Sequence, residues 1–319
     1  MNNTFSVMPS PPLIRIASRE SRLALAQSEW VAAQLRGFHP GFHVEIIGMT
    51  TRGDQILDQP LAQIGGKGLF IKELEVAMSA GRADIAVHSM KDVPMNLPEG
   101  FSLAVVGARE EVRDALVSNR YASLADMPAG AVVGTSSLRR ESQLRHYYPQ
   151  LRVRSLRGNV NTRLAKLDAN EYDAIILAAA GLRRLGFEAR IRALLPFSQF
   201  VPAIAQGALG IEYVTAHASS RAWLQPFEAA DTRAVVEAER AFGRRLSASC
   251  DVPLGAHATV AGTKIHIDGF VALPDGSRML REAIDGDIGE AEATGKELAE
   301  RLLARGADQI LATLERHAG

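Results

Sequence analysis

The chain has 319 residues, 47% of them hydrophobic, and its 36 basic and 36 acidic side chains give a formal net charge of zero. This length predicts a globular protein of two or three domains, and the balanced charge argues against a broad nucleic-acid-binding surface. Residues 1–12 lack the apolar core of a secretory signal, and the longest apolar run, residues 174–182, is too short to cross a membrane. Because the chain also has only one cysteine, we expect a cytoplasmic protein with no membrane or nucleic-acid partner.

Short strands alternate with helices along the first two thirds of the chain. The pattern of apolar residues predicts strands at residues 13–17, 44–48, 84–87, 131–134, 152–155 and 173–178. Helices are predicted at residues 21–35 and 69–78, from residue 138 onward, and from the Gly158-Asn159 turn to residue 167. Since strand, short polar turn and helix form the repeating unit, the predicted fold class is α/β with mainly parallel sheets.

Positive charge is concentrated between residues 131 and 166, where Glu141 is the single acid among the basic residues Arg139, Arg140, Arg145, Arg152, Arg154, Arg157, Arg163 and Lys166. Arginine pairs with carboxylates or phosphates through two parallel hydrogen bonds, although a basic run is also typical of a solvated helix face. Three predicted strand-to-helix turns carry these groups: Arg19 with Ser21, Ser137 with Arg139 and Arg140, and Arg157 with Arg163. Anions bind at such turns in α/β sheets, so we expect one cleft for a ligand with several anionic groups.

Two further segments carry candidate chemistry. The glycine-rich segment around Lys67 lacks the phosphate-loop pattern, so it is interpreted as a mobile loop with one anion-binding lysine. Asp92 follows the strand at residues 84–87 and is the candidate catalytic acid, although an aspartate there is more commonly a turn residue. His88 is interpreted as an interior, hydrogen-bonded histidine, and no metal site is predicted because no second ligand stands at a suitable spacing.

The single cysteine, Cys250, lies in a small polar turn after a helical stretch that carries Arg240, Arg244 and Arg245. A free cysteine most commonly packs in an apolar interior. Nearby arginines would instead favour a reactive thiolate. Both interpretations remain open on these residues alone.

Seven segments, in order along nearly the whole chain, resemble porphobilinogen deaminase, also called hydroxymethylbilane synthase. They are Arg52-Gly53-Asp54, Gly65-Gly66-Lys67-Gly68-Leu69-Phe70, Asp84-Ile85-Ala86-Val87-His88-Ser89-Met90-Lys91-Asp92-Val93-Pro94, Gly134-Thr135-Ser136-Ser137-Leu138-Arg139-Arg140, Arg154-Ser155-Leu156-Arg157-Gly158-Asn159-Val160, Pro202-Ala203-Ile204-Ala205-Gln206-Gly207-Ala208 and Cys250-Asp251-Val252-Pro253-Leu254-Gly255.

The resemblance implies a transferase of tetrapyrrole biosynthesis that joins four porphobilinogen molecules into linear hydroxymethylbilane and releases ammonia at each step. It implies a dipyrromethane cofactor, held by a thioether to Cys250, and a catalytic role for Asp92. By similarity, the cofactor carboxylates are bound by Lys91, Thr135, Ser137, Arg139 and Arg140, and Asp92 binds the cofactor through its pyrrole N–H groups. By similarity also, the incoming and growing rings are bound by Arg19, Ser21, Lys67, Arg157, Arg163, Arg184 and Gln206.

The resemblance also implies a domain organisation. Two lobes like those of periplasmic binding proteins would comprise residues 13–108 with 207–226, and residues 112–201. A small third α/β domain, residues 231–319, would carry the cofactor cysteine. The pattern of the tail agrees, because residues 256–273 are rich in strand formers, 274–277 predict a hairpin turn, and 288–303 and 307–316 predict helices.

The chain departs from the family pattern at two places. Gln63 replaces a lysine found in many members, and Ala248-Ser249 replaces two glycines before the cysteine. The remaining alternative is a two-lobed small-anion binding or sensor domain without catalysis, which would not need Cys250. We expect the enzyme to be a monomer.

Overall fold

Three β-sheets organise the chain in the computed structural model, which describes residues 13–55, 68, 70–248 and 252–318. The strands are β1 (Leu13–Arg19), β2 (His43–Met49), β3 (Ile85–Ser89), β4 (Phe101–Val106), β5 (Asp114–Val117), β6 (Val132–Gly134), β7 (Arg152–Arg154), β8 (Ala174–Ala178), β9 (Ala193–Leu194), β10 (Leu209–Val214), β11 (Leu254–Ala261), β12 (Lys264–Ala272) and β13 (Met279–Asp287). The α-helices are α1 (Arg22–Phe38), α2 (Arg52–Gln55), α3 (Lys72–Ser79), α4 (Leu138–Tyr147), α5 (Val160–Asp168), α6 (Ala179–Arg184), α7 (Ala218–Leu224), α8 (Ala230–Arg245), α9 (Ala291–Ala304) and α10 (Ala307–Ala318).

The first sheet has the strand order β2-β1-β3-β10-β4. Strand β1 runs parallel to β2 and β3, whereas β10 is antiparallel to both of its neighbours. Helix α1 packs on this sheet through Val31 and Leu35, which are fully buried with Ile14 and Ile16 of β1. The parallel strands therefore end at one edge, where β1 leads into α1 and β3 leads into a 3-10 turn at Met90–Asp92.

The second sheet repeats this plan with the order β7-β6-β8-β5-β9. Strand β6 is parallel to β7 and β8, and β5 is antiparallel to β8 and β9. The α/β fold class is confirmed, although the antiparallel strands β5 and β10 make both sheets mixed rather than nearly all parallel. The predicted strands in these two sheets are confirmed, with ends that differ by at most two residues.

The chain passes between the two larger sheets twice, at residues 107–113 and 195–208. The two crossings contact each other, because the amide of Glu110 donates to the carbonyl oxygen of Gly207 at 3.2 Å. Gly207 has a φ of +89°, and a Cβ atom at this position would collide with the Glu110 carbonyl oxygen. Glycine is therefore required at the second crossing for both conformation and space.

The third sheet is an antiparallel meander, β11-β12-β13, on which helices α8 and α9 pack. Its core includes Phe242 of α8 and Leu298 of α9, both fully buried. The predicted hairpin turn at residues 274–277 is confirmed, since β12 and β13 pair as far as Ala272 and Met279.

Each of the three domains implied by the resemblance encloses one of the three sheets. The exact domain limits stay a prediction. Within the described ranges, no helix is long and apolar enough to cross a membrane.

Candidate active site

One pocket brings together side chains from the carboxyl ends of β1 and β3. Its lining includes Arg19, Ser21, His88, Ser89 and Asp92. These strands lie side by side and run in the same direction, so the residues that follow them meet at the same edge of the sheet. Asp92 is exposed to solvent at this edge. The structure therefore places the predicted catalytic acid beside two of the predicted substrate-binding residues.

Ser21 and Arg19 have local structural partners as well. Ser21 is the N-cap of α1, where its hydroxyl accepts a hydrogen bond from the Ala24 amide at 3.3 Å. Arg19 is ion-paired with Asp54, to which its Nε donates at 3.0 Å, and its guanidinium lies 4.3 Å from the ring centroid of Phe70. Sequence reasoning assigned no role to Asp54 or Phe70, although both fall in segments that carry the resemblance. Together they fix the orientation of the Arg19 fork at the pocket.

A second group of site residues surrounds Asp114, a fully buried carboxylate at the start of β5. Its Oδ2 accepts from Nη1 of Arg139 at 2.8 Å, and its Oδ1 accepts from Nε and Nη2 of Arg140 at 3.0 and 2.8 Å. Burial alone would raise the pKa of Asp114, but the two arginines lower it further than burial raises it. Asp114 was missed by sequence reasoning, although a lone aspartate opening an apolar strand is a signal that a cationic partner is needed.

The two arginines predicted to bind cofactor carboxylates are thus buried and held by Asp114. Arg140 also donates from Nη1 to the Ile176 carbonyl oxygen at 3.0 Å, and Arg139 from Nη1 to that of Val201 at 2.7 Å. Nε of Arg139 is buried and has no hydrogen-bond partner among the described residues. Arg139 therefore keeps one donor for a further acceptor.

Gln206 links this group to the 3-10 turn at Met90–Asp92. It is fully buried, and its Nε2 donates to Oδ1 of Asp114 at 3.0 Å and to the Val112 carbonyl oxygen at 2.7 Å. Its Oε1 lies 3.5 Å from Nζ of Lys91. Desolvation lowers the pKa of Lys91 to about 8, with Asp92 and Asp114 opposing the shift and the two neighbouring arginines adding to it. Lys91 and Gln206 therefore connect Asp92 to the buried Asp114 group.

Arg157, Arg163 and Arg184 complete the cationic surroundings. Nε of Arg163 donates to the Gly158 carbonyl oxygen at 2.7 Å, and Nη2 of Arg184 to that of Gly207 at 2.7 Å. Desolvation lowers the pKa of Arg163 to about 10, the charges of Arg140 and Arg157 lower it further, and Asp92 raises it. The second sheet thus contributes positive charge close to Asp92 of the first.

Thr135 and Ser137 shape the turn that leads into α4. Oγ of Ser137 caps this helix by accepting from the Arg140 amide at 3.5 Å. The Ser137 amide in turn donates to Oγ1 of the buried Thr135 at 3.2 Å. The turn therefore fixes the backbone that carries both buried arginines.

Other members of the basic run behave as an ordinary surface. Nε of Arg145 donates to Glu141 at 2.8 Å, one helical turn away, and the guanidinium of Arg154 lies 4.1 Å from the ring centroid of Tyr172. Arg152 is exposed. The run at residues 131–166 thus includes two buried arginines that pair with Asp114 and a solvated face, and the binding of an anionic ligand by the run stays a prediction.

Two predicted site residues, Cys250 and Lys67, lie outside the described residues, as do Gln63 and Ser249. The chain before the cysteine is described as far as Ala248, which is buried and whose amide donates to the Gly243 carbonyl oxygen at 2.8 Å.

His88 is buried as expected and is hydrogen-bonded to Glu212 at 2.9 Å. Among the described residues, no three His, Cys, Asp or Glu side chains are grouped to hold a metal ion.

Comparison with known proteins gives matches along almost the whole chain. A family model described as porphobilinogen deaminase, dipyromethane cofactor binding domain, matches residues 14–222, and a model of the porphobilinogen deaminase C-terminal domain matches residues 234–304. The porphobilinogen deaminase of Thiobacillus denitrificans is 58% identical over 301 residues, which is 94% of this chain and 98% of that protein. That of Nitrosomonas europaea is 56% identical over 307 residues, which is 96% of this chain and 100% of that protein.

Among solved structures, the periplasmic aliphatic sulphonate binding protein SsuA from Escherichia coli is 13% identical and covers 76% of this chain and 73% of its own, with a TM-score of 0.41. The near-full-length matches do not favour the alternative of a non-catalytic binding or sensor domain. With two family models covering both parts of the chain and relatives above 50% identity, this chain belongs to the porphobilinogen deaminase family.

Proposed function

We propose that the cleft around Asp92 joins four porphobilinogen molecules into linear hydroxymethylbilane, with release of ammonia at each step. The observation that carries this proposal is the position of Asp92, an exposed carboxylate set among cationic groups from both larger sheets. It lines one pocket with Arg19, and its charge acts on both Lys91 and Arg163. A single acid surrounded by anion-binding groups suits a substrate that carries carboxylates and develops positive charge at its ring.

The residues present fit a dipyrromethane cofactor, whose two rings carry acetate and propionate groups. The donors Lys91, Thr135, Ser137, Arg139 and Arg140 are of the types that bind carboxylates, and the unpartnered Nε of buried Arg139 offers a donor for one of them. When bound, the cofactor supplies the first nucleophilic pyrrole carbon. We assign its covalent attachment to Cys250, because a thiolate is a strong nucleophile and the resulting thioether is stable.

Asp92 has three tasks in this proposal. Its carboxylate accepts a hydrogen bond from a pyrrole N–H, stabilises the positive charge that develops as the amine leaves, and accepts the proton lost from the ring carbon. Lys91 precedes it in the same 3-10 turn and is held near Gln206. In this proposal the turn therefore holds a cation for cofactor carboxylates directly beside the acid.

The remaining residues bind the incoming and growing rings. We assign this role to Arg19, Ser21, Lys67, Arg157, Arg163 and Arg184, and we give Gln206 a positioning role because its amide group is buried and occupied. Each added ring brings two more carboxylates, so arginines from two lobes accommodate a lengthening anion better than one fixed set. One carboxylate serves every step, and the growing chain has to move past it.

We also propose that the enzyme works as a monomer in the cytoplasm. A reactive thiol that must stay free for cofactor attachment suits a reducing compartment. Large exposed hydrophobic side chains among the described residues are few, namely Leu13, Trp30, Phe38 and Val76, which supports a monomer. Light scattering of the purified protein at micromolar concentration tests the oligomeric state.

The experiment that tests the proposed function is intact-mass spectrometry of the protein expressed in a porphobilinogen-producing host. A thioether survives denaturation, so the wild-type mass should exceed that of the sequence by one two-ring adduct. Brief exposure to porphobilinogen should add a ladder of single-ring steps. Cys250→Ser should abolish both, because a hydroxyl is a poor nucleophile at neutral pH. A wild-type protein with only the mass of its sequence, before and after substrate, would contradict the proposal.

A further inference from the structure

The backbone that follows Asp92 is held by an arginine from helix α8. Arg240 donates from Nη1 to the carbonyl oxygen of Val93 at 3.3 Å, and from Nη2 to those of Pro94 and Met95 at 2.6 and 3.0 Å. These carbonyl groups belong to the three residues that directly follow Asp92 in the chain. Because the guanidinium is planar and its donors are fixed relative to one another, it holds the three carbonyl groups in one arrangement.

Arg240 makes these contacts as a buried cation. Its residue is 7% exposed, and no ion pair joins it to an acid among the described residues. Burial and the charge of Arg244 lower its pKa to about 10, so the guanidinium stays charged at neutral pH. A buried cation without an acidic partner contributes little to stability, and an apolar side chain would fill the position at a lower electrostatic cost. This favours a role for Arg240 in fixing residues 93–95 over a role in stability.

The 3-10 turn that contains Asp92 is anchored from its other side as well. The amide of Met90 donates to the carbonyl oxygen of Ala208 at 3.1 Å, and the amide of Val93 donates to that of Met90 at 3.2 Å. The residues Met90 and Val93 are buried, whereas Asp92 is exposed. The backbone on both sides of the acid is therefore fixed while its carboxylate faces solvent.

Helix α8 is itself held against the two crossing segments, so it is a firm support for Arg240. Glu239, the preceding residue, accepts from Arg109 of the first crossing at 2.7 and 2.9 Å. It also accepts from the amide of Ala205 in the second crossing at 2.6 Å. Neighbouring residues of one helix thus contact the crossings and the segment that follows Asp92.

The same helix leads toward the candidate cofactor cysteine. A Cβ atom on Gly243, one turn after Arg240, would lie 2.8 Å from Sδ of Met95, so the helix passes close to residues 93–95. Helix α8 ends at Arg245, five residues before Cys250 in the sequence. The contacts of Arg240 therefore connect the candidate acid to the helix that precedes the cysteine.

We propose that Arg240 is a positioning residue for Asp92, which holds the carboxylate in one place by fixing the three carbonyl groups that follow it. This inference rests on the proposed function, in which one carboxylate serves every condensation. Misplacing a reacting group by about 1 Å can lower a rate by about 100-fold. Loss of Arg240 should therefore slow the chemical step and leave substrate binding largely unchanged.

The first test compares the steady-state kinetics of Arg240→Met and Arg240→Lys, with Arg233→Met, an exposed change on the same helix, as the control. Rates are expressed per cofactor-loaded molecule, with the loaded fraction taken from intact mass, so that loss of folded protein does not lower the measured kcat. For Arg240→Met we expect kcat to fall about tenfold or more, with KM within about threefold. Arg233→Met should match the wild type.

Arg240→Lys tests whether the donors of Arg240 are what matters. Its ammonium group can still donate to carbonyl oxygens but lacks the planar fork, so its kcat should lie between those of Arg240→Met and the wild type. A wild-type kcat in Arg240→Met would overturn the proposal. A kcat of Arg240→Lys equal to that of either the wild type or Arg240→Met would overturn it too.

The second test is a double-mutant cycle with Asp92→Asn, because a positioning residue acts only through the group that it positions. In the Asp92→Asn background, Arg240→Met should lower the remaining rate by less than about twofold. The rate of the first ring addition, followed by intact mass, provides the measurement for these slow variants. An equal loss in both backgrounds would show that Arg240 acts independently of Asp92 and would overturn the proposal.

The same measurements separate this inference from the proposed function. A wild-type protein that gains no ring mass from porphobilinogen would contradict the proposed function, and the role of Arg240 would fail with it. A wild-type protein that adds rings, together with an Arg240→Met variant that adds them equally fast, would overturn the role of Arg240 alone.

Discussion

Arg140 and Asp114 form a buried ion pair that joins the second sheet to the chain crossing from the first. Nε and Nη2 of Arg140 both donate to Oδ1 of Asp114, at 3.0 and 2.8 Å. Asp114 is the first residue of β5, directly after the crossing segment, and Arg140 lies in the first turn of α4. The position of an arginine that we assign to the cofactor is thus set by the strand at which the chain enters the second lobe.

Removing the carboxylate of this pair should make the folded protein less stable. Asp114→Asn should lower the free energy of unfolding by about 3–5 kcal/mol, because two buried guanidinium groups lose their counter-charge. Urea unfolding followed by circular dichroism measures the loss. Asp126→Asn, at an exposed position of the same lobe, is the control and should be near neutral. A stability of Asp114→Asn equal to that of the control would show that the pair contributes no more than a surface contact.

The same carboxylate predicts a pH dependence of stability. The folded-state pKa of Asp114 is lowered, so its contribution to stability is complete above the unfolded pKa of about 4 and decreases as the pH falls through the folded value. Wild-type stability should therefore decrease more steeply than that of Asp114→Asn as the pH falls below about 4. Denaturant unfolding of both proteins along a pH series measures the difference, and parallel curves would exclude the assigned role.

Arg139 and Arg140 differ in what their loss should do. Arg140→Leu removes two hydrogen bonds to Asp114, whereas Arg139→Leu removes one, together with a buried Nε that has no hydrogen-bond partner among the described residues. We expect Arg140→Leu to be the less stable variant and both to hold the cofactor poorly, because a carboxylate loses a charge-assisted donor. Thermal unfolding and intact-mass measurement separate the two effects. A full complement of cofactor in both variants would contradict their assignment to cofactor binding.

Asp92 is the group on which turnover should depend most. Asp92→Asn keeps the side-chain size and one acceptor but removes the negative charge and the ability to accept a proton, so kcat should fall by about 100-fold or more. The fold should remain intact because Asp92 is exposed. Steady-state assays with saturating porphobilinogen measure kcat, with Glu99→Gln as an exposed control. Near wild-type turnover in Asp92→Asn would exclude it from the mechanism.

The lowered pKa of Lys91 predicts that the rate of cofactor assembly depends on pH. Since desolvation lowers its pKa to about 8, its ammonium form is progressively lost above that pH in the empty site. The rate at which the cofactor-free chain incorporates porphobilinogen should therefore decrease above a pH of about 8. Lys91→Arg retains its charge in this range and should show a flatter profile, even if its overall rate is lower. Identical pH profiles for the two proteins would contradict a role for the Lys91 charge.

The buried carboxylate of Glu239, in the third domain, should hold both crossing segments in position. This buried residue of α8 accepts two hydrogen bonds from Arg109, at 2.7 and 2.9 Å, and also accepts from the amides of Ala205 and Ala258. Glu239→Gln should cost about 3–5 kcal/mol of unfolding free energy, since it leaves a largely buried arginine uncompensated. Glu237→Gln, exposed on the same helix, is the matched control. Equal urea midpoints would show that Glu239 does not hold the crossings.

The sequence by itself determined the α/β alternation, the turns that follow β1, β3 and β6, and the position of Asp92 at the end of a strand. Those features depend on local pattern, because apolar periodicity and turn residues act over a few positions. The strands β4, β5, β9 and β10 do not follow from periodicity, because β5 is a four-residue strand buried on both faces, β9 has two residues, and β4 and β10 show no alternation of buried and exposed residues.

Only the tertiary structure decided which charged groups are partners. Asp114 is 26 residues from Arg140, Glu239 is 130 residues from Arg109, and Glu212 is 124 residues from His88. The acid of each pair is fully buried, so its charge needs a partner that the fold brings within reach. Residue types along the chain indicate that such groups need partners, but the path of the chain through the two crossings determines which partner each one has.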